Sequence, residues 1–267
     1  MLKKNKLALF GLIILSAFLL MSLFAPVIAP YNPSEIIEDH IAAPSAHHLF
    51  GTDDLGRDIF SRLLYGGRVS LSVAVIAVFV SLTVGIFLGC ISGYYGGILD
   101  EIIMRFTDIM LSFPTIFLIL AIQSVLTPNI FNVMIVIGAT SWMGIARLVR
   151  GEFLAIKERE YVEAARAIGC SDMRIIFRHI LPNAFPPVIV AGTLGMAGAI
   201  LTESALSFLG LGVQPPMPSW GNMLMDSQTY LLDAPWMAVI PGIVIVLAVL
   251  SLYFVGEGLR EELNPKE

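Results

Sequence analysis

Glu203 is the one ionisable residue in the apolar run 185–208. A carboxylate in such a place has two kinds of work. It lines or gates a pathway, as intramembrane acids in pumps and transporters do. Otherwise it stands at the membrane interface, reaching water or capping a neighbouring helix end. At a rise of about 1.5 Å per residue it lies roughly 27 Å along its helix, near the outer interface. The four histidines are His40, His47, His48 and His179. Adjacent imidazoles can ligate a metal, but no cysteine or acidic pattern accompanies the His47-His48 pair. Solvated loop residues and no metal site are expected. Cys90 and Cys170 show neither pairing nor C-x-x-C spacing, so both are expected to be packing residues.

No residue set supplies catalysis or energy. A Walker A loop needs a lysine straight after a glycine, where it reaches the phosphates. The five lysines are Lys3, Lys4, Lys6, Lys157 and Lys266, and none follows a glycine. G-x-S-x-G and H-E-x-x-H are missing too. The chain is therefore expected to be no enzyme and to hold no cofactor of its own.

The elements that must position these residues are membrane helices. Hydrophobic residues make up 57% of the 267 and charged ones 14%, against about 25% charged in a soluble domain. An all-α membrane protein follows, with six spans at about 7–28, 69–92, 109–126, 130–147, 185–208 and 234–256. The third and fourth divide an uncharged run, 109–146, at the turn "TPN". The basic start "MLKKNK" precedes an apolar run too long for a signal peptide, so an uncleaved span is expected. Residues 1–68 comprise the first span and an outer loop. Residues 69–267 form the core, with a polar cytoplasmic loop at 148–184. Thirteen Lys and Arg fall on the N-terminal side of this arrangement, and only Arg57, Arg62 and Arg68 on the other. Both termini and the 148–184 loop are therefore expected in the cytoplasm. Gly85, Gly89 and Gly93 recur every four residues, as do Ala191, Gly195 and Ala199. Such stripes allow close helix packing within the bundle or a moving face between subunits. Pro114 and Pro241 lie inside spans, where kinks are expected.

The loop holds the densest mixture of charges, "EYVEAARAIGCSDMRIIFRHILPNA" at 160–184. Over 157–168, Tyr161, Ala164, Ala165 and Ile168 stand at i, i+3, i+4 and i+7, one weakly apolar stripe. Gly169 can end this helix at positive φ. Ser171 then suits the N-cap of a second helix, Asp172 its first turn, and Pro182 its end. The product is a helical hairpin. It fits either a partner's groove or the lipid headgroups, the latter through Ile175, Ile176 and Phe177. Acids mixed among the bases leave no nucleic-acid surface.

This stretch resembles the EAA loop of ABC-importer permeases: Glu163, Ala164, Ala165, then Gly169 after three further residues, and Leu181-Pro182 beyond. The general pattern has isoleucine two residues before the leucine. His179 stands there, which resembles the peptide/nickel branch. "FGTDDLGRDIFSRLLYGGRVSL" at 50–71 and "LTESALSFLGLGVQPPMPSWGNML" at 201–224 look like the second permease of dipeptide, oligopeptide and nickel importers. The resemblance implies a type I ABC-importer permease fold with a cytoplasmic coupling hairpin. It implies a homologous permease beside this chain, two ATPase subunits that bind ATP and Mg, and an extracytoplasmic substrate-binding protein. Glu163, Ala164, Ala165, Gly169, Ser171 and Asp172 would then couple the chain to an ATPase. Pro215, Pro216 and Trp220, in a rigid, apolar outer loop, would meet the binding protein or plug the outer mouth. Gly51-Thr52-Asp53 and Gly56-Arg57-Asp58 are read as turns, with Asp58 the N-cap of a helix over 59–65, in preference to a direct contact with the binding protein. Short peptides are the expected cargo, and a nickel chelate the alternative. A self-sufficient channel or secondary carrier is the reading from another class, and it leaves the charged hairpin without a task.

Overall fold

The computed structural model describes residues 5–38, 40–127 and 129–263. Lys3, Lys4, Lys266 and Pro128 of the "TPN" turn lie outside them. Twelve α-helices and no extended strand occur among the described residues. They are α1 (Lys6–Leu23), α2 (Ala25–Ile28), α3 (Ile59–Tyr95), α4 (Gly97–Ser112), α5 (Thr115–Val125) and α6 (Ile130–Ala139). There follow α7 (Trp142–Ile156), α8 (Glu160–Ala167), α9 (Asp172–Ile175), α10 (Leu181–Phe208), α11 (Trp220–Asp226) and α12 (Trp236–Leu263). Five helical runs are long and apolar enough to cross a membrane, and α4 with α5 makes a sixth if the bent pair is one span.

The central helix is α3, which touches α1, α4, α6, α7, α10 and α11. Its 37 residues run about 55 Å, well beyond a hydrocarbon core of about 30 Å. The expected short helix over 59–65 and the span at 69–92 are therefore one rod. Its first turns stand in a layer of loops at one end of the bundle. Asp58 caps it, accepting from the backbone N of Ser61. Gly85, Gly89 and Gly93 all face α7: a Cβ on Gly89 would stand 2.7 Å from the Ala146 carbonyl and 2.7 Å from Val149 Cβ. This stripe is packing within the chain, and dispersion at close range holds the two helices together.

Three expectations change. The span at 109–126 is no straight helix: α4 begins at Gly97, and α4 and α5 meet at 84°. Pro114 offers no backbone N–H and pushes Phe113 to extended backbone, φ −93 and ψ 132, which ends α4. Pro182 does not end the second hairpin helix. The chain runs on from Asp172 to Phe208 through a π-helical turn, Ile176–Ile180. Pro182 stands in the first turn of α10, where its missing N–H costs least, and the wide turn before it relieves the ring's clash with the preceding carbonyls. The span at 130–147 is interrupted between α6 and α7, at Thr140 and Ser141. Their hydroxyls bond back to the carbonyls of Val136 (2.7 Å) and Ile137 (2.6 Å).

At one end, Asn5 Nδ2 donates to Glu261 (2.8 Å), so α1 and α12 pack antiparallel and the two described termini meet. Glu152, Asn183 and Arg260 border one pocket there, which places the hairpin at the same end. Residues 29–38, 40–58 and 209–233 cover the other end, the loop end.

Candidate functional site

The hairpin is built on a core of its own. Val162 and Ala165 turn inward against Phe153, Ile156, Ile175 and Ile180. Gly169 takes φ +82. Its N–H donates to the Arg166 carbonyl (3.0 Å), and the N–H of Cys170 to that of Ala165 (3.1 Å). This is a complete Schellman closure of α8, open to glycine at no steric cost. The expected apolar stripe divides. Ala165 is buried with Val162, whereas Tyr161, Ala164 and Ile168 face outward, Ile168 with 81% of its surface free. Both faces have helical spacing, and only the position of α7 decides which one packs. Glu163, Met173 and Phe177 are exposed on the same hairpin. Ile175 and Ile176 are buried in it, so they are unavailable to lipid headgroups.

Ser171 occupies the N-cap of α9, but its side chain makes no cap hydrogen bond. Asp172 is engaged inside the chain: the Tyr94 hydroxyl donates to its Oδ1 at 2.6 Å, tying the hairpin to the end of α3. One element further in, Arg150 grips Asp100 through two bonds of 2.6 Å, Nε to Oδ1 and Nη2 to Oδ2. A fork on a carboxylate fixes orientation as well as distance. The hairpin is thus a rigid ridge with a free outer face.

At the loop end the expected turns are present: Gly51 and Gly56 take φ +76 and +74, with Gly51 N–H donating to the His48 carbonyl and Gly56 N–H to that of Asp53, both at 3.0 Å, and a buried polar layer is built on them. Arg57 Nε lies 2.7 Å from Asp53 Oδ2, Arg62 Nη1 2.8 Å from the same oxygen, and Arg62 Nη2 3.0 Å from Asp226 Oδ2. These contacts clamp the first loop and α3 to α11. Burial pushes the Asp226 carboxyl above the usual carboxylate range, outweighing the attraction of Arg62 and Arg57. Burial also raises Asp54, helped by the charge of Asp53. Asp53, Asp54 and Asp226 come within 4.8 Å of one another, but the two guanidiniums already supply positive charge to that cluster. His48 is not a solvated loop residue: it is 3% exposed, with Nδ1 3.0 Å from Asp58 Oδ1. A histidine beside another in a polar loop carries no sequence signal for that burial. For Arg57 and Arg62 the signal was the three acids close in sequence, Asp53, Asp54 and Asp58; Asp226, more than 160 residues on, gave none.

Glu203 is fully buried, so it neither reaches water at an interface nor lines an open passage within this protomer. Ser207 Oγ donates to it at 2.7 Å and Ser70 Oγ at 3.0 Å. Each hydroxyl in turn accepts a backbone N–H from the loop end, Val213 on Ser207 (3.0 Å) and Trp220 on Ser70 (3.3 Å). Glu203 is the hub joining α3, α10 and the start of α11. Trp220 is 1% exposed, and its indole N–H donates to the Leu63 carbonyl at 3.1 Å. It anchors α11 and is not a surface for a docking protein. Pro215 and Pro216 of the same loop are exposed, as is Met217.

Comparison with known proteins agrees with this architecture. The family model for the binding-protein-dependent transport system inner membrane component matches residues 85–266. A second, for the N-terminal TM domain of oligopeptide transport permease C, matches residues 1–44. A dipeptide transport system permease protein of Alkalihalophilus pseudofirmus is 48% identical over 99% of this chain and 88% of its own. An oligopeptide transport system permease protein of Bacillus subtilis is 41% identical over 99% and 87%. Among solved structures, an inward-facing form of the MetNI methionine ABC transporter gives a TM-score of 0.61 at 19% identity, covering 76% of this chain and 96% of that one. That likeness is one of fold, the type I permease fold of ABC importers. The chain belongs to the family of binding-protein-dependent transport system inner membrane components, as a multi-pass permease subunit.

Proposed function

We propose that this chain is one of two related permeases that together carry short peptides across the cytoplasmic membrane at the expense of ATP. One observation carries the cargo: the 48% identity, along nearly the whole chain, to a permease named for dipeptide transport. The hairpin end faces the cytoplasm, as the distribution of Lys and Arg favours, and the loop end faces outward. The exposed ridge of Glu163, Ala164 and Ile168 seats in a groove of an ATPase subunit, which binds ATP and Mg. Gly169 shapes the turn, and Ser171 is free to bond the partner. Asp172 acts within the chain, holding the ridge to α3. A substrate-binding protein delivers the peptide at the loop end, where Pro215 and Pro216 are the contact points. Glu203 acts as a gate residue from inside the bundle, by holding the outer segment rather than by touching cargo. ATP-driven closure of the ATPases draws the hairpins together and biases the bundle between inward- and outward-facing states.

The test is isolation of the tagged chain from native membranes in detergent, followed by dipeptide uptake in vesicles rebuilt from what is recovered. A second permease, P-loop ATPases and ATP-dependent dipeptide uptake are expected. Recovery of the chain alone, with cargo movement independent of ATP, would return the channel or carrier reading.

A further inference from the structure

Two features of α4 remain unexplained by the coupling and loop-end sites. First, Glu101, Arg105, Asp108 and Ser112 stand at i, i+4, i+7 and i+11, a narrow polar stripe along one side of the helix. All four are exposed; Glu101 is 68% and Arg105 76% free, and these two lie 3.9 Å apart. Asp108 pairs with the equally exposed Arg147 of α7. Second, the stripe ends at the break between α4 and α5. There Ser112, Phe113 and Pro114 are exposed, and interrupted backbone leaves carbonyls without helical partners.

The depth of these groups follows from α7. Asp100 meets Arg150, and Phe106 stacks on Trp142 at 6.0 Å. As α4 advances, α7 is read backwards, so the two helices are antiparallel and α4 climbs away from the hairpin end. The Trp142 carbonyl lies against Gly85, about 15 Å along α3 from Tyr95 at the usual helical rise. The stripe therefore passes from the hairpin end into the span, and the break lies deeper still. Charged side chains at such depth face water or protein, not lipid. Irregular backbone there is tolerated only where it is buried or lines an aqueous cavity. Neither is buried in this chain.

We propose that the polar stripe of α4 and the break at Phe113-Pro114 line a water-filled passage through the hairpin-side half of the membrane. The adjoining apolar side of α4, with Ile102 and Ile109, faces lipid or another permease. The lining carries both signs, Glu101 and Asp108 against Arg105 and Arg147, which suits a solute bearing an ammonium and a carboxylate together. That last point rests on the peptide-permease reading; the aqueous lining does not.

The experiment uses the whole complex in inside-out vesicles, with Cys90→Ser and Cys170→Ser as background. Single substitutions Arg105→Cys, Ser112→Cys, Ile102→Cys and Ile109→Cys are labelled with a charged, membrane-impermeant methanethiosulfonate. Positions 105 and 112 are expected to react about tenfold faster than 102 and 109, since thiols react as thiolates in water and not in lipid. Equal rates at all four, or slow labelling at 105 and 112, would overturn the aqueous lining. ATP-dependent dipeptide uptake by the unsubstituted complex is measured in right-side-out vesicles loaded with ATP, with the binding protein supplied outside. Its absence would remove the peptide-permease reading while the labelling still decides whether α4 meets water.

Discussion

At residue scale, the decisive side chains are those whose partners are few and buried. Gly169 holds φ +82 at the turn of the hairpin. A β-branched residue is strained there by about 1–2 kcal/mol, so Gly169→Val is expected to distort the ridge. The complex should lose binding-protein-stimulated ATP hydrolysis several-fold, while the purified chain keeps its helical circular-dichroism signal. Glu203 receives two serine hydroxyls in a site closed to water. Glu203→Ala should cost about 1.5–3 kcal/mol and lower the thermal unfolding midpoint in detergent. Glu203→Gln keeps one acceptor oxygen and should recover most of the loss; equal loss in both variants would deny the hub role. Asp226 titrates above the usual carboxylate range because burial outweighs Arg62 and Arg57. A carboxyl raised on folding contributes stability that is complete below its unfolded pKa of about 3.9. That contribution is lost as pH rises through the folded value. Asp226→Asn does not titrate, so the wild-type advantage over it should shrink as pH rises from about 4, read by thermal unfolding at successive pH values.

At element scale, the pair α3 and α7 tolerates little added volume. The spacing of Gly85, Gly89 and Gly93 showed a close-packing face. It did not show which helix lay against it. Gly89→Val would press atoms into the Ala146 carbonyl and Val149. Overpacking of this kind costs about 1–3 kcal/mol, and the unfolding midpoint in detergent should fall accordingly. The same substitution at Gly198, where nothing stands within 4 Å of an added Cβ, should leave the midpoint nearly unchanged. Prolines behave by their place in the hydrogen-bond ladder. Pro114 separates α4 from α5 at 84°, whereas Pro182 opens a helix already widened by a π turn.

At the scale of the whole molecule, a rigid bundle carries a projecting ridge at one end and a clamped layer of loops at the other. Tyr94 with Asp172 joins the ridge to α3, the ridge packs on α7, and Arg150 with Asp100 joins α7 to α4, so force applied at the hairpin reaches several helices at once. Ile168→Asp alters only the free face of that ridge. It should leave the unfolding midpoint of the isolated chain in place and abolish recovery of ATPase subunits with the tagged chain. Recovery at the wild-type level would place the docking surface elsewhere.

By itself the sequence determined the membrane class, the helical hairpin with its glycine turn, and the family resemblance. Each depends on local information: apolar length against bilayer thickness, a residue that accepts positive φ, and motifs contiguous in the chain. Asp58 as a helix cap was legible for the same reason. Tertiary structure alone decided which face of α8 packs inward, that Trp220 is an anchor, and that His48 is buried. It also brought Arg57 and Arg62 to Asp226, more than 160 residues away. Helical periodicity offers two faces and cannot choose between them until a neighbouring helix arrives. A charge in a loop reads as solvated until the rest of the chain takes away its water and supplies a counter-charge.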